Sequence, residues 1–144
     1  MEATDVMTTS EETVPDGVGP HEGRELELML SGKKPLAMFC DAVGYTHWFP
    51  EDSFAPYVAE GVIVRWETTY HPPSPAVPSR CVYFARTGEE WRIKKLHRIQ
   101  EEIHVERQPA TAGRERDIGR LLGYSETQID LYLEWIGRTE RDRE

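Results

Sequence analysis

The sequence has few cysteines and no long hydrophobic run, and these two absences exclude several classes of protein. Only Cys40 and Cys81 occur among 144 residues, without Cys-x-x-Cys spacing. Two cysteines are too few for a disulfide framework, so we expect reduced, partly buried thiols. No apolar segment approaches the roughly 18 residues that a membrane-spanning helix needs, so we expect no membrane association.

The chain also lacks the short motifs that identify many enzymes. It has no glycine-rich phosphate loop, no Gly-x-Ser-x-Gly, no His-Glu-x-x-His and no Cys/His cluster at metal-ligand spacing. The sequence therefore predicts neither a metal nor a cofactor. The leading hypothesis is a small protein-interaction or accessory protein without catalytic activity, whose partner is another protein.

Basic residues are absent from the N-terminal leader. The first 20 residues hold five acids and no Lys or Arg, and residues 1–30 carry a net charge of −7 out of the chain's −9. An acidic, aperiodic leader without an apolar segment is more typical of a solvated extension than of a signal peptide or a nucleic-acid mimic. We therefore expect a disordered tail over residues 1–20, a single domain over 21–138, a frayed end over 139–144 and a cytosolic location.

The clearest periodicity in the chain is that of a β-strand. From Val62 to Tyr70 the even positions are apolar or β-favouring, while Arg65 and Glu67 fall between them, which predicts a half-buried strand. Compact apolar runs predict two further strands at residues 36–40 and 80–86. The four prolines of residues 71–78 predict an exposed loop between the second and third strands.

Helical periodicity predicts five helices, near residues 23–31, 53–60, 89–104, 114–122 and 126–136. Thr87 and Glu90 have the spacing of a capping box for the third helix. Lys33 and Lys34 follow the first helix, where the helix dipole favours cations. These segments indicate an α+β fold, with a small, mainly antiparallel three-stranded sheet and helices over one face.

The last two predicted helices carry the most specific local pattern. Gly123 ends the first, and Ser125 with Gln128 forms a capping box for the second. With small Gly119 at the helix crossing, this tight hairpin resembles a helix-turn-helix. The residues that would face DNA bases include acids, which the phosphate backbone repels: Ser125, Glu126, Thr127 and Asp130. A DNA-binding regulator is therefore the third hypothesis, and specific nucleic-acid binding is not expected.

The loop from Asp41 to Asp52 is denser in aromatic residues than a plain connection needs. Binding residues are disproportionately found on loops, so Tyr45, His47 and Trp48 are the candidate binding residues. The alternative is that Tyr45, Trp48 and Phe49 cover one end of the core, because most apolar side chains serve packing.

A small enzyme is the second hypothesis, with a site assembled from the 40–48 loop and the end of the 62–70 strand. Such a site could gather a nucleophile, a base and an acid from Cys40, Asp41, His47, Glu67 and His71. No local spacing pairs these residues, and packing or surface roles are the alternative.

The final predicted helix has an apolar face wider than one packing surface requires. Leu131 and Trp135 extend its apolar arc to ~200° on a helical wheel. If they are exposed, pairing two such helices about a two-fold axis would bury them, which predicts a homodimer. The alternative is that the helix is clamped within one chain.

Overall fold

The structure, a computed structural model, describes His21 and residues 23–143, with side chains described as far as Gly137. The predicted acidic tail therefore lies outside the described residues. All the predicted strands and helices are present, and the α+β class is confirmed. The elements are α1 (Glu25–Leu30), β1 (Leu36–Ala42), α2 (Glu51–Ala59), β2 (Ile63–Tyr70), β3 (Ser79–Arg86), α3 (Trp91–His104), α4 (Ala112–Leu121) and α5 (Glu126–Arg143).

Strand β3 lies in the middle of a sheet with the order β1-β3-β2. It pairs antiparallel with both neighbours. Its segment from Cys81 to Ala85 is buried without interruption, so side chains on both faces of the sheet are covered. The prediction that helices cover one face is therefore wrong, because the unbroken apolar run of β3 needs packing partners on both sides.

One face of the sheet is packed mainly by phenylalanine, and we call it the phenylalanine face. Helices α1 and α2 cover it, together with the end of the β1–α2 loop. Its buried core consists of Met29, Ala37, Phe39, Phe49, Phe54, Ile63, Val82 and Phe84. Helix α2 begins two residues earlier than predicted, and Pro56 lies inside it.

The opposite face, which we call the tyrosine face, is packed by α3 and α4. Its buried core consists of Leu36, Tyr70, Cys81, Tyr83, Ala85, Ile93, Leu96 and Leu121. The even side chains of β2 lie on this face, as their alternation predicted. Tyr70 is buried, but Trp66 and Val62 are 38% and 44% exposed. Strand β2 is an edge strand, so α3 covers only part of it.

Cys40 and Cys81 form a disulfide, so the prediction of reduced thiols is wrong. The register of the sheet places Cys40 of β1 directly opposite Cys81 of β3, although 41 residues separate them in sequence. A cross-link across a loop of this length restricts the unfolded chain, a contribution of roughly 4 kcal/mol in the chain-entropy treatment. Sequence spacing missed the pair because strand pairing, not proximity along the chain, brings the two sulfurs together.

The predicted helical hairpin is confirmed in detail. Gly119 lies where α4 meets α5, and a Cβ there would stand only 2.7 Å from Cγ1 of Ile129. Gly123 turns the chain with a φ of +92°, a conformation that glycine adopts without a steric penalty. The backbone amide of Gln128 donates to the Ser125 hydroxyl at 3.1 Å, and the Ser125 amide donates to Oε1 of Gln128 at 2.8 Å. This reciprocal pair is the predicted capping box.

The other predicted capping box does not form. The Thr87 hydroxyl donates to the carbonyl of Gly61 at 2.5 Å, and Oε1 of Glu90 accepts from the amide of Gly88 at 2.6 Å. Helix α3 consequently begins at Trp91 without a side-chain cap. At the other end of the chain, α5 continues to Arg143, beyond the predicted end at residue 136.

Candidate functional site

The aromatic residues of the β1–α2 loop divide between packing and exposure. Phe49 is 7% exposed and belongs to the phenylalanine core, Trp48 is 39% exposed, and Tyr45 is 65% exposed. The alternative that these aromatic residues cover the core therefore holds for Phe49 and in part for Trp48. It does not hold for Tyr45, whose side chain extends into solvent.

Trp48 is held in place by both polar and aromatic contacts. Its indole N–H donates to Oδ2 of Asp41 at 2.8 Å. The indole also packs edge-on against Phe49, with ring centroids 4.7 Å apart, and against Phe39 at 6.2 Å. A side chain that is already fixed before binding loses little conformational freedom in a complex. Trp48 is therefore a rigid, half-exposed aromatic residue.

The proline-rich β2–β3 loop lies beside this aromatic loop. The amide of Val43 donates to the carbonyl of Pro78 at 3.0 Å, which continues the pairing of β1 with β3 past the end of the sheet. Val43 and Val77 are 50% and 61% exposed. We call four large hydrophobic residues of these two loops, all exposed, the loop patch: Val43, Tyr45, Trp48 and Val77.

Among the described residues, no hydrogen bond or ion pair joins two of the candidate catalytic residues. Cys40 is bonded to Cys81 and has no free thiol, which removes the predicted nucleophile. Asp41 binds the Trp48 indole through Oδ2 and the Ala42 amide through Oδ1. His47 and His71 are both exposed.

Glu67, the fifth candidate, lies in a cluster of two arginines and two glutamates on the outer part of the phenylalanine face. Arg80 donates to Glu67 through Nε and Nη2, both at 3.0 Å, and to Glu51 through Nη1 and Nη2, at 3.0 and 3.2 Å. Arg65 contacts both carboxylates as well. Hydrogen bonding from Arg80 lowers the pKa of Glu67 to about 2. Mutually paired charges of this kind join α2 to the sheet and offer no free base.

A concave pocket of about 320 Å³ lies between edge strand β2 and the first half of α3, within the usual size range of small-molecule sites. It forms because the even side chains of β2 face a helix that does not cover the strand completely. The lining residues are Val64, Arg65, Trp66, Glu90, Ile93, Lys94 and His97.

A chain of three hydrogen-bonded side chains leads from the buried core to this pocket. The Tyr83 and Tyr70 hydroxyl oxygens lie 2.5 Å apart, and the Tyr70 oxygen lies 2.8 Å from Nδ1 of His97. Burial raises the pKa of Tyr70 and of Tyr83, so both hydroxyls keep their protons. His97 contacts the Trp66 ring edge-on, with centroids 4.9 Å apart.

The direction of this chain follows from the donors and acceptors present. Among the described residues, the Tyr83 hydroxyl has only the Tyr70 oxygen within hydrogen-bonding distance. A buried hydroxyl needs an acceptor, so Tyr83 donates to Tyr70, and Tyr70 donates to Nδ1 of His97. The N–H of His97 is therefore on Nε2. Nε2 lies 3.7 Å from Oε1 of Glu101, which is too long for a hydrogen bond.

His97 was not among the residues that the sequence indicated as candidate site residues. Its position between Ile93 and Glu101 placed it at the border of the apolar and charged faces of α3, and Tyr70 was assigned only to the inward side of β2. The sequence shows both positions, but it does not show the contact between Tyr70 and His97, which are 27 residues apart. Only the packing of α3 on the sheet reveals that contact.

Lys34 is a polar residue whose burial the sequence did not indicate. It is 2% exposed, whereas the sequence predicted only that the helix dipole favours a cation after α1. Nζ donates to the Leu122 carbonyl at 2.6 Å and lies 2.9 Å from Nδ1 of His21, which stacks on Tyr124. Burial lowers the pKa of Lys34 to about 7, and burial together with Lys34 lowers the pKa of His21 to about 3. This contact holds the α4–α5 turn against the chain before β1.

The two candidate interface residues of α5 are not equally exposed. Trp135 is 7% exposed, and it forms a small cluster with Tyr132, Leu131, Leu133 and Ile136. Leu131 is partly buried. The homodimer prediction rested on an exposed Trp135, and this side chain is buried. The homodimer stays a prediction.

The described residues contain no group of three or more His, Cys, Asp or Glu side chains that could hold a metal ion. Within the same part of the chain, no helix is both long and apolar enough to cross a membrane. No protein-family model, no curated protein and no solved structure matches this chain. The candidate sites therefore stand on their geometry alone.

Proposed function

We propose that the protein is a small interaction or accessory protein and that it contacts a protein partner through the loop patch. The observation that carries this proposal is the position of Tyr45, 65% exposed on a loop whose neighbour Trp48 is fixed by Asp41. Exposed tyrosine and tryptophan supply large contact areas at a low entropic cost, and both residue types are enriched where proteins bind one another.

The neighbouring valines favour a protein partner over nucleic acid. Val43 and Val77 add apolar surface on either side of the contact between the two loops. Arg80, which donates to Thr46 of the same loop at 3.2 Å, is engaged by Glu51 and Glu67, so it offers little attraction for phosphate. An apolar, aromatic surface of this kind suits a partner with a complementary apolar patch.

The other two hypotheses have less support. Of the predicted catalytic residues, Cys40 has no free thiol and Glu67 is bound by Arg80. In the α4–α5 hairpin, Arg116 pairs with Asp130 at 2.8 Å and Arg120 pairs with Glu126 at 2.7 Å. Acids thus pair with the cations that could contact a phosphate backbone. The absence of specific nucleic-acid binding stays a prediction.

A cytosolic location and a homodimer also stay predictions. The location was inferred from the acidic leader and from the absence of a long apolar segment. The Cys40–Cys81 disulfide weighs against it, because such bonds persist mainly in oxidising compartments. Sedimentation over a concentration series would decide the oligomeric state, and a monomer at tens of micromolar would exclude the dimer.

The proposal is tested by site-specific photocrosslinking in cells. A photoreactive amino acid at position 45 should trap one protein partner in a saturable manner, while the same amino acid at Val105, which is also exposed, should not. With the purified partner, Tyr45→Ala should weaken binding about 30-fold, the effect of a hot-spot residue worth about 2 kcal/mol. Equal crosslinking at both positions, or unchanged affinity of the variant, would refute the proposal.

A further inference from the structure

The pocket between β2 and α3 offers hydrogen-bond donors to a ligand. His97 lines the pocket and carries its N–H on Nε2, because Nδ1 accepts from Tyr70; Nε2 lies 3.7 Å from Oε1 of Glu101. Lys94, the other donor, lines the same pocket. Both residues lie on one side of α3, since positions 94 and 97 are three residues apart.

Lys94 differs from the other basic residues of its helix. Arg92 pairs with Glu89 at 2.7 Å, Arg98 pairs with Glu106 at 2.9 Å, and Lys95 lies over the Trp91 ring at 5.7 Å. Among the described residues, Lys94 has neither an acidic partner nor an aromatic ring beneath its ammonium group. Its charge is therefore available to a ligand.

The remaining charged residues of the pocket are already engaged. Glu90 accepts the Gly88 amide at 2.6 Å, and the guanidinium of Arg65 is bound by Glu51 and Glu67. The pocket therefore holds two available donors, on Lys94 and His97, and one carboxylate, that of Glu90, which the Gly88 amide engages through Oε1 only. A ligand that hydrogen-bonds to both donors must have acceptor oxygens, and a negative charge on the ligand would pair with Lys94.

The rest of the lining favours a flat, apolar group. Val64 and Ile93 form apolar walls, and Trp66 remains 38% exposed beside His97. An aromatic ring on the ligand can pack against the indole in a stacked or edge-on arrangement. The volume of about 320 Å³ suits a small molecule rather than a folded partner.

We propose that this pocket binds a small aromatic carboxylate, with its ring against Trp66 and its carboxylate on Lys94 and His97. The site is separate from the loop patch, and it does not depend on the function proposed for that patch. Its carboxylate contact would be charge-assisted and partly shielded from water, which makes it stronger than an exposed ion pair.

The test is a titration of the full chain with 2-naphthoate, followed by ¹H–¹⁵N nuclear magnetic resonance. Saturable shifts should appear at Val64, Trp66 and His97, and the neutral 2-naphthamide should bind about tenfold more weakly because it lacks the charge. The cationic 2-naphthylmethylamine should bind more weakly still.

Two variants of adjacent lysines separate the proposed contact from general electrostatic attraction. Lys94→Gln should weaken 2-naphthoate binding about tenfold, whereas Lys95→Gln, which removes the same charge one residue away, should leave it unchanged. Equal binding of the acid and the amide, an equal effect of both variants, shifts centred elsewhere, or no saturation at millimolar ligand would each overturn the proposal.

Discussion

The two faces of the sheet are packed with different chemistry. On the phenylalanine face, Phe54 stacks on Phe84 with ring centroids 4.1 Å apart, and Phe39 meets both rings edge-on. On the tyrosine face, the hydroxyls of Tyr70 and Tyr83 are joined to the His97 imidazole. Apolar packing depends mainly on volume, whereas a hydrogen-bonded chain also depends on direction.

This difference indicates where a ligand site can form. The side chains of the phenylalanine core pack against one another, and the charged residues at its border form ion pairs with one another. The tyrosine face places an oriented imidazole at the wall of an incompletely covered strand. The first face should therefore determine stability, and the second should carry binding chemistry as well.

The largest effect should come from truncating the phenylalanine core. Phe84→Ala removes a ring that is 1% exposed, and a substitution of this kind typically lowers the free energy of unfolding by about 3–5 kcal/mol. Urea denaturation measures the loss. Phe84→Leu, which retains more buried volume, should lose less. Because Phe84 faces away from the pocket, the folded fraction should bind 2-naphthoate normally, and weakened binding would contradict the separation of the two faces.

A smaller effect should distinguish the two tyrosines. Tyr70→Phe leaves the Tyr83 hydroxyl without an acceptor and removes the donor to His97. The free energy of unfolding should fall by about 1–3 kcal/mol. Tyr83→Phe removes only the hydrogen bond from Tyr83 to Tyr70, and the free energy of unfolding should fall by about 0.5–1.5 kcal/mol. Thermal or urea unfolding gives the order. The ¹⁵N shifts of His97 should change in the first variant more than in the second, and the reverse order would refute the assigned direction.

The smallest effect is a pH dependence at Lys34, beside the tyrosine face. Its pKa is about 7 in the folded protein and about 10.5 in an unfolded chain. Between these values the unfolded chain binds the extra proton, so raising the pH stabilises the fold. Stability should rise by about 1 kcal/mol from pH 7 to pH 8.

His21 extends the same pH dependence into acid. Its folded pKa of about 3 lies below the ordinary value of about 6.5. Its contribution is therefore complete above pH 6.5 and is lost as the pH falls towards 3. Urea titrations of Lys34→Met should show no rise from pH 7 to pH 8, whereas the exposed neighbour variant Lys33→Met should retain it. A rise that persists in Lys34→Met would assign the effect to another group.

The hairpin and the strands were predictable because their signals are local. Gly119, Gly123 and the Ser125–Gln128 capping box act within about 20 residues of chain, and each performs the role that its spacing indicated. The Thr87–Glu90 spacing was equally regular, yet Thr87 bonds to Gly61, 26 residues away. Local spacing therefore predicts a contact only where no distant partner competes for the same side chain.

The candidate sites were predictable to different degrees. Tyr45 and Trp48 were identified because aromatic residues are conspicuous in a polar loop, although their unequal exposure was not foreseen. Cys40 was misassigned because nothing along the chain indicates its partner across β1 and β3. His97 was missed because a histidine on a helix flank acquires meaning only from the strand that faces it.

The sequence by itself determined the helices, the strands and the turns between α4 and α5, because backbone preferences and the periodicity of apolar residues act over short distances. Only the tertiary structure decided that both faces of the sheet are covered, that Lys34 is buried beneath the α4–α5 turn, and that Tyr83, Tyr70 and His97 form one chain. Each of these features joins residues that are distant in sequence. Their contacts depend on strand order and helix placement, which no local pattern of this chain specifies.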